Sequence, residues 1–70
     1  GAFNKAEELL RLKDEHKAVE RYINSLNSRL SNTAFRKNAP QQIVNKEEER
    51  LESSIKRRER LENILADLKN

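Results

Sequence analysis

The sequence has no cysteine, methionine or tryptophan, and only one glycine, one proline, one histidine and one tyrosine. Without cysteine, and with a lone histidine, it can build neither a disulfide framework nor a zinc site of Cys/His type. With its single glycine at position 1 and its single proline at position 40, it has little material for the tight turns of a sheet protein. No apolar run approaches the ~18 residues of a membrane span, so no membrane partner is expected. No signal peptide is visible. The composition is compatible with the cytosol, and a cytoplasmic setting is expected.

Five residue types dominate instead. Ala, Glu, Lys, Leu and Arg supply 40 of the 70 residues, and 39% of the chain is charged. That bias marks long helices or coiled coil. High charge alone would also suit disorder, but the apolar residues are too regular for that. Leu9, Leu12, His16, Val19, Ile23, Leu26 and Leu30 follow one another at steps of 3 and 4 in alternation. This is a heptad seam with Leu9 at an a position and Leu12 at a d position. Val44, Glu47, Leu51, Ser54, Arg58, Leu61, Leu65 and Leu68 repeat the pattern with more polar members. Phe3, Ala6 and Leu10 flank the first seam, and Ile43, Ile55 and Ile64 the second; these are expected to widen the apolar stripes.

The stretch from Leu30 to Pro40 separates the two segments. Ser31 and Asn32 favour helix ends, and Asn32 can cap a short helical turn over residues 32–37. Ala39 precedes proline and is therefore pushed away from helical angles. Pro40 suits the first position of the next helix, where its missing N–H costs nothing. Asn38 paired with Gln41 is a rival cap. At the other end, Asn4 and Glu7 have the spacing of a capping box. The sequence predicts an all-α fold: an antiparallel two-helix coiled-coil hairpin, about 4–30 and 40–69, in one domain over residues 1–70. Folding back at the turn pairs positions whose numbers total about 77, with Leu26 facing Leu51 and His16 facing Leu61. Leftover apolar surface would allow weak homodimerisation.

Net charge is only +3, but it is unevenly spread. Residues 21–46 contain no Asp or Glu and carry Arg21, Arg29, Arg36, Lys37 and Lys46, a charge of +5; the rest of the chain sums to −2. A one-signed patch is an electrostatic footprint for an anionic partner, most simply a nucleic-acid backbone. Arg21, Arg29, Arg36, Lys37, Lys46 and Arg50 are the candidate contacts. Lys13, Lys17 and Arg21 form an outer stripe on the first helix. Lys46, Arg50, Arg57 and Arg60, with Ser53, form one on the second. No catalytic residue and no metal ligand set is predicted. His16 reads as a polar layer in the seam; Arg58 reads as a structural polar layer too, with snorkelling of its head into water as the alternative. The acids Glu47, Glu48, Glu49 and Glu52 read as a solvated helix face. Phe35 is expected to plug the end of the core; stacking on a base is its alternative role.

The turn carries a resemblance. Leu30-Ser31-Asn32-x-x-Phe35-x-x-x-Ala39-Pro40-x-x-Ile43-Val44-x-x-Glu47-x-x-x-Leu51 resembles the C-terminal coiled-coil arm of bacterial-type valyl-tRNA synthetases. The usual form there is L-S-N-x-x-F-x-x-x-A-P-x-x-V-V-x-x-E-x-x-x-L. Ile43 replaces the first valine, and a histidine occupies the seam. The resemblance implies a non-catalytic tRNA-binding module, a fragment of a larger enzyme. Its partners would be valine tRNA, at the elbow where the D and T loops meet, and the catalytic body. This chain would need no cofactor; ATP would serve the parent ligase. Asn32, Phe35, Ala39 and Pro40 would shape the turn. A hairpin from another translation-related protein, or a purely structural coiled coil, fits the heptads equally well away from the turn.

Overall fold

The computed structural model describes residues 4–69. Three helices follow in order: α1 (Lys5–Ser31), α2 (Thr33–Asn38) and α3 (Gln41–Lys69). The two long helices pack against each other as a hairpin, and α2 sits at the closed end against α1. The molecule measures 52 × 22 × 14 Å with a radius of gyration of 16.0 Å. A compact chain of this length would have a radius nearer ~11 Å, so this is a rod.

Both seams meet in the interior. Leu12, Ile23, Leu26 and Leu30 of α1 are buried with Val44 and Leu61 of α3. Every other seam member except Glu47 is half-buried: Leu9, His16, Val19, Leu51, Ser54, Arg58, Leu65 and Leu68. Burial of one such aliphatic side chain contributes roughly 1.5–3 kcal/mol, and a single seam provides few of them. The flanking residues mostly fail to extend it. Ile55 is half-buried, but Leu10, Ile43 and Ile64 are exposed, as is Ala6. Two helices enclose only the a and d stripe between them; positions one step outside it face water unless a third element covers them. Phe3 lies outside the described residues.

The closed end is built without any positive φ, which is how it dispenses with glycine. Asn32, extended at φ −79°, ψ 115°, ends α1 by donating its N–H to Arg29 O at 3.1 Å. The same residue starts α2. Its side-chain oxygen accepts from Phe35 N at 3.2 Å and its carbonyl from Arg36 N at 3.1 Å. Ala39 is extended (φ −76°, ψ 143°), as its proline neighbour demands, while its N–H closes α2 on Phe35 O at 2.9 Å. Asn38 therefore ends α2 and does not cap α3. Pro40 lies just ahead of α3 and not in its first position. Its carbonyl accepts from Ile43 N at 2.9 Å and Val44 N at 3.2 Å, so it serves as the cap residue. At the start of α1, Asn4 Oδ1 accepts from Glu7 N at 3.2 Å.

The cross-helix bonds fix the register. His16 bonds Glu62, Glu20 bonds Arg58 and Arg29 bonds Glu47, pairs whose numbers total 76 to 78. The antiparallel pairing expected from the sequence is thus the observed one. Glu15 with Arg57 defines one flank of the hairpin. Stepping by sevens along both helices places Tyr22 and Arg29 of α1 and Arg50 and Ile43 of α3 on that same flank.

Candidate nucleic-acid interface

The side chains that carry charge at the closed end derive their positions from the turn. Because α2 reverses the chain, the start of α3 lies against the end of α1, and its acids return to the basic window. Glu47 is the decisive case. It stands at a d position and is buried, 4% exposed, whereas Glu48, Glu49 and Glu52 are exposed. The solvated-face reading holds for those three and fails for Glu47, because a d position points into the seam whatever residue fills it. A buried carboxylate must be paired. Arg29 Nη1 donates to Glu47 Oε2 at 2.8 Å, and Arg50 Nη1 donates to Glu47 Oε1 at 3.0 Å. Each carboxylate oxygen thus has its own guanidinium, one from each helix.

Arg36 is also engaged. Its Nε donates to the carbonyl of Leu30, satisfying one of the free acceptors at the end of α1, and its Nη2 lies 3.7 Å from Glu48 Oε1. The six candidate contacts therefore divide in two. Arg29, Arg36 and Arg50 hold the closed end together, with their outer surfaces still half exposed. Arg21, Lys37 and Lys46 are exposed and form no ion pair among the described residues.

In three dimensions the charge divides more sharply than in sequence. The register sets residue 21 level with residue 56. The closed half, residues 21–56, holds seven basic and four acidic side chains, a charge of +3. The other half holds eight of each over residues 5–20 and 57–69 and is neutral. All of the net charge of the chain thus lies in the closed half.

The open half neutralises itself pairwise. Arg11 bonds Glu8 and Glu15, and Glu15 also takes Arg57 from across the seam. The hydrogen bond from Arg11 holds the Glu8 carboxyl below its ordinary 4.5, against slight desolvation and with help from the Arg11 charge. Arg58 does not simply snorkel: Nη1 reaches Glu20 Oε1 at 3.2 Å. A groove of about 350 Å³ runs between the helices here, lined by Glu15, Ser53, Arg57, Arg60 and Leu61. Its Arg57 is occupied by Glu15, so the second-helix stripe has Arg60 as its uncommitted cation in this half.

The sequence reading did not single out Tyr22. It is 46% exposed, next to Arg21 and on the flank that carries Arg29, Ile43 and Arg50. Its signal was present: one heptad step from Glu15 it falls beside the seam, not in it. Ile43, 44% exposed, lies further along the same flank toward the turn. Phe35 is half-buried at the tip, which suits a partial plug better than an exposed stacking platform.

A hairpin rod with a cationic closed half and, among the described residues, no helix long and apolar enough to cross a membrane belongs, as a class, to antiparallel helical hairpins. The family model described as the valyl tRNA synthetase tRNA binding arm matches residues 5–69, and the chain belongs to that family. The match spans both long helices and the turn, so the resemblance at residues 30–51 extends along the whole rod. The family is a binding arm and not a catalytic domain. No curated protein and no solved structure matches the chain.

Proposed function

We propose that the chain grips the elbow of valine tRNA, where the D and T loops meet, and so supports aminoacylation by a catalytic body that supplies the ATP chemistry. The observation that carries this reading is the confinement of the whole net charge, +3, to the closed half. Phosphates meet cations that need not leave a partner to reach them: Arg21, Lys37 and Lys46. Arg29, Arg36 and Arg50 add their half-exposed outer faces, rigidly placed by Glu47 and the Leu30 carbonyl. Tyr22 offers a ring on which an unstacked loop base can lie, since base–aromatic stacking tolerates any base.

The test is a titration of the 70-residue chain with folded tRNA, followed by amide NMR at low and moderate salt. Shifts should concentrate around Arg21, Tyr22, Lys37 and Lys46. Reversing the three free cations (Arg21→Glu, Lys37→Glu, Lys46→Glu) breaks no ion pair and should weaken binding by about tenfold or more, because each lost phosphate contact forfeits counterion release. Shifts confined to the neutral half, or an undiminished affinity in the triple variant, would sink the proposal.

A further inference from the structure

The middle of the hairpin contains a group that tRNA binding does not use. His16 occupies an a position of α1, where the pattern calls for an aliphatic residue. Its Nε2 lies 2.9 Å from Glu62 Oε2 on α3. Glu20, one turn beyond His16 on α1, completes a set of three. One nitrogen or oxygen from each of His16, Glu20 and Glu62 lies within 4.8 Å of the other two. His16 and Glu20 are half-buried and Glu62 is exposed, so the set opens to solvent on one side.

The two acids are the informative part. On the Glu15 flank the hairpin sets acid against base, Glu15 against Arg57. On the opposite flank it sets acid against acid, Glu20 near Glu62. Carboxylates facing each other across a seam repel unless a cation lies close. Arg58 supplies part of that charge through its bond to Glu20 Oε1 at 3.2 Å, but no ion pair of Glu62 other than the one with His16 is formed among the described residues. Among the ion pairs of the described residues, the two carboxylates share one permanent cation, Arg58.

We propose that His16, Glu20 and Glu62 bind a divalent transition-metal ion of the zinc class, clamping α1 to α3 halfway along the rod. Imidazole with carboxylates is a donor set that zinc accepts, at bond lengths of about 2.0–2.2 Å and tetrahedral angles. Ligand atoms then stand roughly 3.4 Å apart, which small side-chain rotations reach from the observed spacing. Water fills the fourth position on the open side. Arg58 remains hydrogen-bonded to Glu20 and orients it, as outer partners of metal-bound carboxylates do. Magnesium is a poor fit, because it favours six oxygen donors and keeps its waters.

The probe is zinc added to the metal-free, tag-free chain, read by thermal unfolding and by the ring-proton resonances of His16. A stoichiometric rise in the unfolding midpoint, with loss or shift of the His16 signals, is expected. At zinc a hundredfold above its dissociation constant the rise should be roughly 10 °C or more. Glu62→Gln, at an exposed position where the amide keeps an acceptor for His16, should weaken the effect at least about tenfold, since replacing a ligating carboxylate by an amide removes its charge. His16→Gln should abolish the zinc-induced rise in the unfolding midpoint, with the fold monitored by circular dichroism. Magnesium at the same concentration should do nothing. Equal stabilisation by magnesium, zinc binding that leaves His16 unmoved, or an unaltered response in Glu62→Gln would each overturn the site.

Discussion

Glu47 introduces a charge into a seam that has little apolar surface to spare. Desolvating a carboxylate is costly, and a buried ion pair stabilises only when its geometry is good and its remaining lone pairs are met. Here both oxygens are met, by Arg29 and Arg50. Arg29→Ala leaves one oxygen without its partner and should destabilise the chain by about 1–3 kcal/mol, measured by urea unfolding. Glu47→Leu should be near neutral or stabilising. In that background Arg29→Ala should cost almost nothing in stability, so any remaining loss of tRNA affinity belongs to Arg29 as a contact. Individual side chains were the least legible in the sequence. The Glu47-Glu48-Glu49 run has one member inside and two outside, and only the heptad phase tells them apart. The charge of Arg29 was legible, but its commitment was not, because its partner lies 18 residues away.

Helices α1 and α3 were readable nearly to the residue. Their limits follow from an unbroken heptad on each side of one proline, and the register follows from where the two seams end. Asn32 was recognisable as a cap, but its double use was not: one extended residue closes α1 and opens α2. Asn32→Ala should cost about 1 kcal/mol, visible as a drop of roughly 5 °C in the unfolding midpoint. Asn32→Asp keeps an acceptor at the cap and should hold stability near the original. It also removes one unit of positive potential at the tip, so it should weaken tRNA binding where Asn32→Ala, once folded, does not. The flanks were misjudged at this scale. A hydrophobic residue one position outside the seam promises burial in a bundle of three or more helices, and Leu10, Ile43 and Ile64 find no third helix to meet.

At the scale of the molecule, an acid-free window of +5 becomes a closed half of +3, since folding returns Glu47, Glu48, Glu49 and Glu52 to that end. The asymmetry survives and the other half is neutral, so binding should be salt-sensitive in a countable way. If Arg21, Lys37 and Lys46 are the phosphate contacts, the slope of log affinity against log salt should be about −2 to −3. If all six candidates take part, it should approach about −5. Fluorescence anisotropy with tRNA across a salt series separates the two.

The bonds that join the helices also grade the order in which the rod can assemble. Arg29 meets Glu47 across 18 residues, Glu20 meets Arg58 across 38, and His16 meets Glu62 across 46. Loop-closure entropy rises with the enclosed length, by about 0.6 kcal/mol per doubling. The turn end is therefore the inexpensive place to begin, and each closed rung shortens the loop that the next must close. By loop closure alone the rod should assemble as a zipper whose slider starts at Asn32, and should come apart from the other end. The half that carries the positive charge should then be the first to form and the last to open.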